Sequence, residues 1–148
     1  MTMKIHFASD HAGFALKNDL LAFVQNELNL EVLDHGATKL DQEDDYPDFI
    51  KLAASAVSSS TEDRAIILGG SGQGEAMVAN RQAGVRAAVF YGGDLSIVKL
   101  SREHNNANVL SLGARFISLD DAKVAVQLWL QTEFSGEERH LRRIEKLG

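Results

Sequence analysis

Residues 64–80 constrain the fold most, because three kinds of local sequence follow one another there. Residues 65–68 (Ala-Ile-Ile-Leu) form an apolar run with the length and composition of a buried strand. A glycine-rich turn over residues 69–74 comes next, and a helix-like segment begins near Glu75. Glycines let a backbone approach a ligand closely, and a helix start presents free N–H groups. This order predicts an anion cradle with a carboxylate, Glu75, directly beside it.

The rest of the chain alternates between strand-like and helix-like patterns. The predicted strands are residues 4–9, 30–33, 65–68, 85–90 and 109–112. The predicted helices are residues 14–28, 49–57 and 75–82, one from a turn at 92–94 to Glu103, and 119–130, and residues 38–48 form an acidic loop holding the only proline, Pro47. With no hairpin signal between strands, the pattern predicts βαβ units in a three-layer α/β/α sandwich, with a parallel, Rossmann-like sheet of about five strands.

Composition narrows the class of protein. The chain has 148 residues and no cysteine, which excludes disulfides, thiolate zinc sites and a cysteine nucleophile. We expect one domain over residues 1–148, ending in a basic helical tail over 136–148. The formal charge of −6 (15 − 21) disfavours nucleic acid and anionic lipid as partners. The N-terminal apolar stretch is too short for a signal peptide, and no run suits a membrane span, so we expect a cytoplasmic protein.

Residues that follow the predicted strands should converge, since parallel sheets bind ligands outside the carboxyl ends of their strands. The convergent set is rich in charge and hydrogen-bonding groups. It comprises Asp10 and His11, Asp34 and His35, residues 69–75, Tyr91 and residues 113–115. The site is therefore expected at this edge.

Three known phosphate-loop or nucleophile motifs fit residues 69–75 poorly. A P-loop needs lysine where Glu75 stands, and a dinucleotide fingerprint needs a glycine there. A nucleophile elbow around Ser71 has Gln73 in its last glycine position. A serine hydrolase using Ser71 with His104 or His140 remains an alternative, although the chain is short for that fold.

Proton transfer next to a carbonyl uses the carboxylate of Glu75. Moving a carbonyl between C1 and C2 of a sugar needs a base for a weakly acidic C–H proton and donors for the enediolate oxygens. Glu75 would be the base, and the Ser71 hydroxyl with nearby backbone N–H groups would be the donors. The alternative is that Glu75 is an ordinary acid interacting with the helix macrodipole.

Motifs along nearly the whole chain resemble the type B ribose-5-phosphate isomerases, which belong with galactose-6-phosphate and allose-6-phosphate isomerases. The matching segments are residues 9–14, 16–17, 45–47, 69–75, 79–81, 84–86, 101–108, 113–115 and 139–144. The family divides by its base, a cysteine at the position of Gly69 or a glutamate at that of Glu75. This chain resembles the glutamate branch.

The resemblance implies roles for individual residues. Glu75 would be the enolising base, His104 the acid/base for opening the sugar ring, and Asp10 a partner of the ring oxygen or hydroxyls. Ser71 and the backbone of residues 70–74 would hold the enediolate oxygens. The implied substrate-binding residues are His11, Tyr46, Gly70, Gly72, Gly74, Asn105, Arg115, Arg139 and Arg143, with His11 and the three arginines forming the phosphate grip.

Simpler interpretations exist for several of these residues. Arg139 and Arg143 are four apart and share one helix face, yet such a face is usually solvated and paired with glutamates. His104 could cap a helix, and Asp10 could be a turn residue. His6 and His35 are interpreted as structural or left unassigned. The five histidines show no metal-ligand spacing, and the resemblance implies a metal-independent enzyme, so no cofactor is expected.

The resemblance also implies a homodimer with shared active sites, or a tetramer of two such dimers. One subunit would give the glycine loop and the other the region from His104 to Arg115. The expected substrate is ribose 5-phosphate, converted to ribulose 5-phosphate. The alternatives are a hexose 6-phosphate isomerase of the same chemistry and a non-catalytic sugar-phosphate-binding module.

Overall fold

A parallel sheet of five strands forms the centre of the computed structural model, which describes residues 2–148. The strands are β1 (Lys4–Ser9), β2 (Glu31–Asp34), β3 (Arg64–Gly69), β4 (Ala87–Phe90) and β5 (Val109–Gly113). Their spatial order is β2-β1-β3-β5-β4, and every neighbouring pair is parallel. The predicted number and direction of the strands are confirmed.

Helices cover both faces of the sheet. They are α1 (Phe14–Asn26), α2 (Tyr46–Ser58), α3 (Gln73–Asn80), α4 (Ser96–Glu103), α5 (Leu119–Gln131) and α6 (Glu138–Glu145). Helices α1 and α4 pack with α5 on one face, and α2 packs with α3 on the other. The three-layer α/β/α architecture is confirmed, and α6 forms the tail. None of the helices within residues 2–148 combines the length and apolar character needed to cross a membrane.

The central strands are buried on both faces, which explains their unbroken apolar sequences. In β3, Leu68 points into the cluster that contains Trp129, and Ile67 points into the opposite cluster with Ile50. All four of these side chains are fully buried. A strand that is covered on both sides needs apolar residues at every position rather than at alternate ones.

Two helices begin earlier than the sequence predicts. Helix α2 starts at Tyr46, so Pro47 lies in its first turn and not in the preceding loop. Proline suits that position because its fixed φ matches the helix and its missing N–H would be unpaired there anyway. Helix α3 starts at Gln73 because Gly72 takes a left-handed φ of 80° as the N-cap, and it ends at Asn80 rather than at Gln82.

The strand order creates a switch point between β1 and β3. From β1 the chain moves outward to β2, then returns to pair β3 on the other side of β1. Helices on the two sides of such a point diverge and leave a crevice at the carboxyl ends of the strands. The segments after β1 and β3, which carry Asp10 and the glycine loop, border this crevice.

Candidate active site

An open cleft of about 540 Å³ lies at the carboxyl ends of β1, β3 and β5. It is bordered by the turn after β1, the first residues of α2, the glycine loop and the segment after β5. The lining residues are Asp10, His11, Ala12, Tyr46, Gly70, Ser71, Gly74, Glu75, Arg115 and Phe116. The predicted convergence at this edge therefore occurs for most of the proposed site residues.

Glu75 is a buried carboxylate in the first turn of α3, with 4% of its surface exposed. Its carboxyl group occupies the space that a side chain at residue 69 would need, because a Cβ built on Gly69 would overlap all three carboxyl atoms. A glycine at 69 and a glutamate at 75 are thus one structural unit. The carboxylate of Glu75 packs against the backbone of β3.

Burial raises the pKa of the Glu75 carboxyl above its usual range, and the negative charge of Asp10 adds to the rise. The backbone N–H groups of Glu75 and Gly72 oppose it. A carboxylate with a raised pKa is a stronger base than a free one.

Asp10 is held at the end of β1 by the turn that follows. It is 7% exposed, and its Oδ1 accepts a hydrogen bond of 3.0 Å from the N–H of Ala12. This is the N-cap of the 3₁₀ turn His11–Gly13. Asp10 is therefore a turn residue that also lines the cleft.

The glycine loop presents Ser71 to the cleft, where its Oγ accepts a bond of 3.3 Å from the N–H of Gln73. A side chain at Gly70 would approach the Arg115 guanidinium at 3.1 Å, and one at Gly74 would approach the Tyr46 hydroxyl at 2.5 Å. Gly72 is different. It is buried behind the loop, and its carbonyl accepts a 2.7 Å bond from the Ser111 hydroxyl, so it shapes the loop and does not line the cleft.

His11 has a partner that the sequence did not reveal. Its ring Nδ1 lies 2.7 Å from Oδ1 of Asp44, and the same oxygen accepts a 3.1 Å bond from the His11 backbone N–H. The hydrogen bond to Asp44 raises the pKa of His11, and the charges of Asp10 and Asp44 add to the rise against burial and Arg115. Asp44 sits among acidic residues of a loop, where spacing alone gave no signal.

Ligand atoms of Asp10, His11 and Asp44 lie within 4.8 Å of one another, close enough to share a cation. The hydrogen bond between the His11 ring and Asp44 accounts for this proximity without an ion.

Arg115 belongs with the glycine loop of its own chain, and the expected grouping of Arg115 with His104 is wrong. Strands β3 and β5 pair with Gly69 beside Gly113, so the segments that follow them leave the sheet together. The Arg115 N–H donates to the Gly70 carbonyl at 3.1 Å, and its side chain lines the cleft.

The remaining predicted site residues form a second, exposed cluster, which we call the tail cluster: His104, Asn105, Arg139 and Arg143. The rings of His104 and His140 lie 4.3 Å apart, and Nε of Arg139 donates to His140 Nε2 at 3.4 Å. Helix α4 runs back from the carboxyl end of β4, so His104 lies near the start of β5. The length of a strand, about 15 Å, therefore separates it from the glycine loop of the same chain.

This separation bears on the serine hydrolase alternative. Within one chain, Ser71 and His104 lie at opposite ends of the strands, and His140 is buried beside His104. A nucleophile and its base must come within hydrogen-bond distance. A single subunit does not assemble that pair.

Three other residues predicted at this edge, Asp34, His35 and Tyr91, do not line the cleft. Asp34 instead binds the fully buried Lys17, whose Nζ lies 2.7 and 2.8 Å from its two carboxyl oxygens. His35 contacts His6 at 2.8 Å, and His6 in turn contacts Asp63 at 2.9 Å, a structural arrangement of both histidines. Tyr91 packs against Phe116 with ring centroids 6.0 Å apart, outside the lining itself.

Comparison with known proteins gives the site its context. A family model described as Ribose/Galactose Isomerase matches residues 5–147. Ribose-5-phosphate isomerase B of Mycolicibacterium paratuberculosis is 37% identical over 146 residues, covering 99% of this chain and 90% of that protein. The Escherichia coli enzyme of the same name is 38% identical over 144 residues, covering 97% and 93%.

Solved structures agree with the sequence comparison. The crystal structure of ribose-5-phosphate isomerase B from Mycoplasma genitalium with bound ribulose-5-phosphate has a TM-score of 0.92 and 38% sequence identity, and covers 99% of this chain and 95% of its own. The match spans the whole sheet, the cleft and the tail. This chain belongs to the ribose/galactose isomerase family.

Proposed function

We propose that this protein is an aldose–ketose isomerase that interconverts ribose 5-phosphate and ribulose 5-phosphate through an enediolate. The observation that carries the proposal is Glu75, a buried carboxylate with a raised pKa at the floor of a cleft lined by hydrogen-bond donors. Relatives of nearly full-length similarity bear the name of that enzyme, and one neighbouring structure holds ribulose-5-phosphate.

The chemistry follows from the groups around Glu75. The carboxylate takes the proton from C2 of the open-chain aldose, and the electron pair of that bond moves toward C1 and its oxygen. Ser71 and the loop N–H groups stabilise the oxygens of the enediolate. The hydroxyl proton on the C2 oxygen passes to the C1 oxygen, and Glu75 returns to C1 the proton that it took from C2, which completes the ketose without a net change of atoms or electrons. Asp10 bonds the ring oxygen or a hydroxyl, and Tyr46 borders the sugar.

The phosphate group is bound by cations at the open side of the cleft. His11 and Arg115 both line it. A guanidinium and an imidazolium are the donors that a phosphate dianion prefers. The loop thus binds the reacting carbons, and the cations bind the phosphate.

The tail cluster acts on the cleft of a second subunit. His104 and Asn105 are exposed at the opposite edge of the sheet from Glu75, and Arg139 and Arg143 project from α6 beside them. A homodimer with two-fold symmetry brings each tail cluster to the partner's cleft, where His104 opens the sugar ring and the arginines contact the phosphate. A tetramer of two such dimers is compatible with the same arrangement.

Complementation tests this shared site. Glu75→Gln and His104→Asn homodimers should each be inactive, and refolding an equimolar mixture should restore about one quarter of the wild-type activity, because half of the dimers then carry one intact site. Each variant refolded alone is the control. Mixtures that stay as inactive as their parents would contradict a shared site.

Substrate choice is tested with a panel of pentose and hexose phosphates. The proposed function predicts the highest kcat/KM for ribose 5-phosphate, and solvent deuterium should appear in the sugar through exchange at Glu75. Preference for galactose or allose 6-phosphate would favour the hexose alternative. Binding without turnover of any sugar would favour the non-catalytic module. With ribose 5-phosphate as substrate, the enzyme would serve the pentose phosphate pathway in the cytoplasm.

A further inference from the structure

The loop before α2 carries a carboxylate whose contacts all go to one residue. The Asp44 side chain is 8% exposed, and its Oδ1 accepts hydrogen bonds from the backbone N–H of His11 at 3.1 Å and from the ring Nδ1 at 2.7 Å. Because one oxygen binds both the backbone and the ring, the ring is fixed relative to its own main chain. Its orientation toward the cleft then follows from the loop.

This contact also determines which ring nitrogen of His11 is left for a ligand. An ionised carboxylate only accepts hydrogen bonds, so Nδ1 must carry the hydrogen of the 2.7 Å contact. The nitrogen left for other partners is Nε2. The His11 side chain is 28% exposed and lines the cleft, so Nε2 is the ring atom available to a ligand there.

We propose that Asp44 is a positioning residue of the isomerase site: its carboxylate binds Nδ1–H and holds the His11 ring in one orientation, so that Nε2–H of the protonated ring donates to the substrate phosphate. The inference rests on the proposed function, which places the phosphate at His11 and Arg115. Asp44 does not touch the substrate; it acts through His11.

The surroundings of His11 support a cationic ring. The anionic groups near the ring are those of Asp44 and Asp10, and Asp10 Oδ2 lies 4.0 Å from Nδ1. The cationic group near the ring is that of Arg115. Tyr46 and Glu75 are the other titratable groups lining the cleft. Hydrogen bonding to Asp44 is the largest cause of the raised pKa of His11. The imidazolium therefore persists to higher pH than a free histidine and can donate to an anion.

Asp44→Asn tests the proposal with little change of shape, because an amide oxygen can still accept from Nδ1 but lacks the charge. Glu43→Gln is the matched control, an equal loss of charge at an exposed neighbour in the same loop. We expect Asp44→Asn to raise KM for ribose 5-phosphate about tenfold and to change kcat less than about twofold. The rise of KM on the alkaline side should also begin at lower pH. The same KM and pH profile in both variants would overturn the proposal.

A double-mutant cycle separates action through His11 from a structural effect. In a His11→Gln background, Asp44→Asn should change KM by less than about twofold, because the ring that it positions is gone. An undiminished effect in that background would assign Asp44 to the loop and not to His11.

Two measurements keep this test independent of the proposed function. Nitrogen-15 NMR of the wild-type histidine rings should show hydrogen on Nδ1 of His11, and the pKa of this ring should fall in Asp44→Asn. The dissociation constant of inorganic phosphate should rise in Asp44→Asn and not in Glu43→Gln. If the wild type failed to isomerise ribose 5-phosphate, the proposed function would fail while these measurements still decided the role of Asp44. An unchanged ring pKa and phosphate affinity would overturn that role.

Discussion

Glu75 and Arg102 are equally buried charged residues at opposite ends of the strands of one sheet. Their charged groups have different surroundings. Each has 4% of its surface exposed. Arg102 directs its guanidinium into the fold: Nε donates to the Thr132 carbonyl at 3.0 Å, and Nη1 donates to the Asn106 side chain at 2.9 Å and to the Ala107 carbonyl. Glu75 directs its carboxylate toward the glycine loop and the cleft.

The two buried charges have separate roles, structural for Arg102 and chemical for Glu75. At the edge of Arg102, Arg64 also binds backbone carbonyls, those of Trp129 and Leu130 at the end of α5. Burial, with repulsion from Arg64 and Arg86 and partial compensation by Glu133, lowers the pKa of Arg102 to about 10. Arg102 thus stays charged at neutral pH, and its hydrogen bonds hold the segments that follow α4 and α5. The shifted pKa of Glu75 instead belongs to a group that faces a ligand site, where such shifts mark chemistry.

Glu75→Gln should produce the largest effect on activity. The amide keeps the shape but cannot accept the C2 proton, so kcat should fall about 10²- to 10⁴-fold while the substrate still binds. Steady-state kinetics and a binding isotherm for ribose 5-phosphate measure the two quantities. Turnover close to that of the wild type would remove Glu75 as the base.

The same substitution should affect stability in the opposite direction. Because folding raises the pKa of this carboxyl, the folded state favours the protonated form, and that contribution is lost as pH rises through the folded pKa. The ionised carboxylate is therefore unfavourable at neutral pH, and Glu75→Gln should have the higher Tm there. The advantage should shrink in acid, where wild-type Glu75 is protonated. An equal Tm difference at both pH values would contradict the burial argument.

Arg102→Met should affect stability more than any change at exposed charges of α4. It keeps an apolar stem but leaves buried carbonyls without their donor, and the free energy of unfolding should fall by about 3 kcal/mol. Lys99→Met is the control, because the 3.6 Å contact of Lys99 with Glu103 is exposed and contributes less than about 1 kcal/mol. Denaturant titrations of both variants measure the difference. A loss for Arg102→Met no larger than the control would mean that its hydrogen bonds are dispensable.

Gly69→Ala tests whether the carboxylate of Glu75 must occupy the space beside β3. The added methyl group overlaps the carboxyl atoms, so Glu75 has to move, and displacement of a base by about 1 Å lowers kcat about 10²-fold. Gly70→Ala is the comparison, since its Cβ meets the flexible end of Arg115 at 3.1 Å and leaves Glu75 in place. Equal losses of kcat in the two variants would show that the loop, and not the position of Glu75, is sensitive.

Most of the fold was predictable because its signals are local. The apolar run 65–68, the glycine turn and the alternation of strands with helices each report on neighbouring residues, and together they specify a parallel sheet. The strand order β2-β1-β3-β5-β4 was not predictable in the same way. It depends on which buried faces meet across long stretches of chain, and no local pattern records it.

The site residues also differ in whether local sequence signals could predict their positions. Asp10, Ser71 and Glu75 follow strands and were predicted to converge, as the cleft confirms for their positions. Asp44 was missed because its partner, His11, lies 33 residues away in sequence. Arg115 was grouped with His104 because the family resemblance implied it, whereas β5 returns the chain to the edge of the glycine loop before Arg115, where the rule on strand ends had placed residues 113–115.

Arg142→Ala should have the smallest effect and completes the comparison with an exposed charge. Arg142 and Glu138 form a 2.8 Å ion pair across one turn of α6, with side chains 48% and 79% exposed. Water solvates both groups well, so the free energy of unfolding should change by less than about 0.5 kcal/mol, and less still at high salt. KM for ribose 5-phosphate should stay unchanged, whereas joint replacement of Arg139 and Arg143 should raise KM for phosphorylated sugars alone. A comparable KM increase in Arg142→Ala would mean that α6 acts through its total charge, not through two arginines on one face.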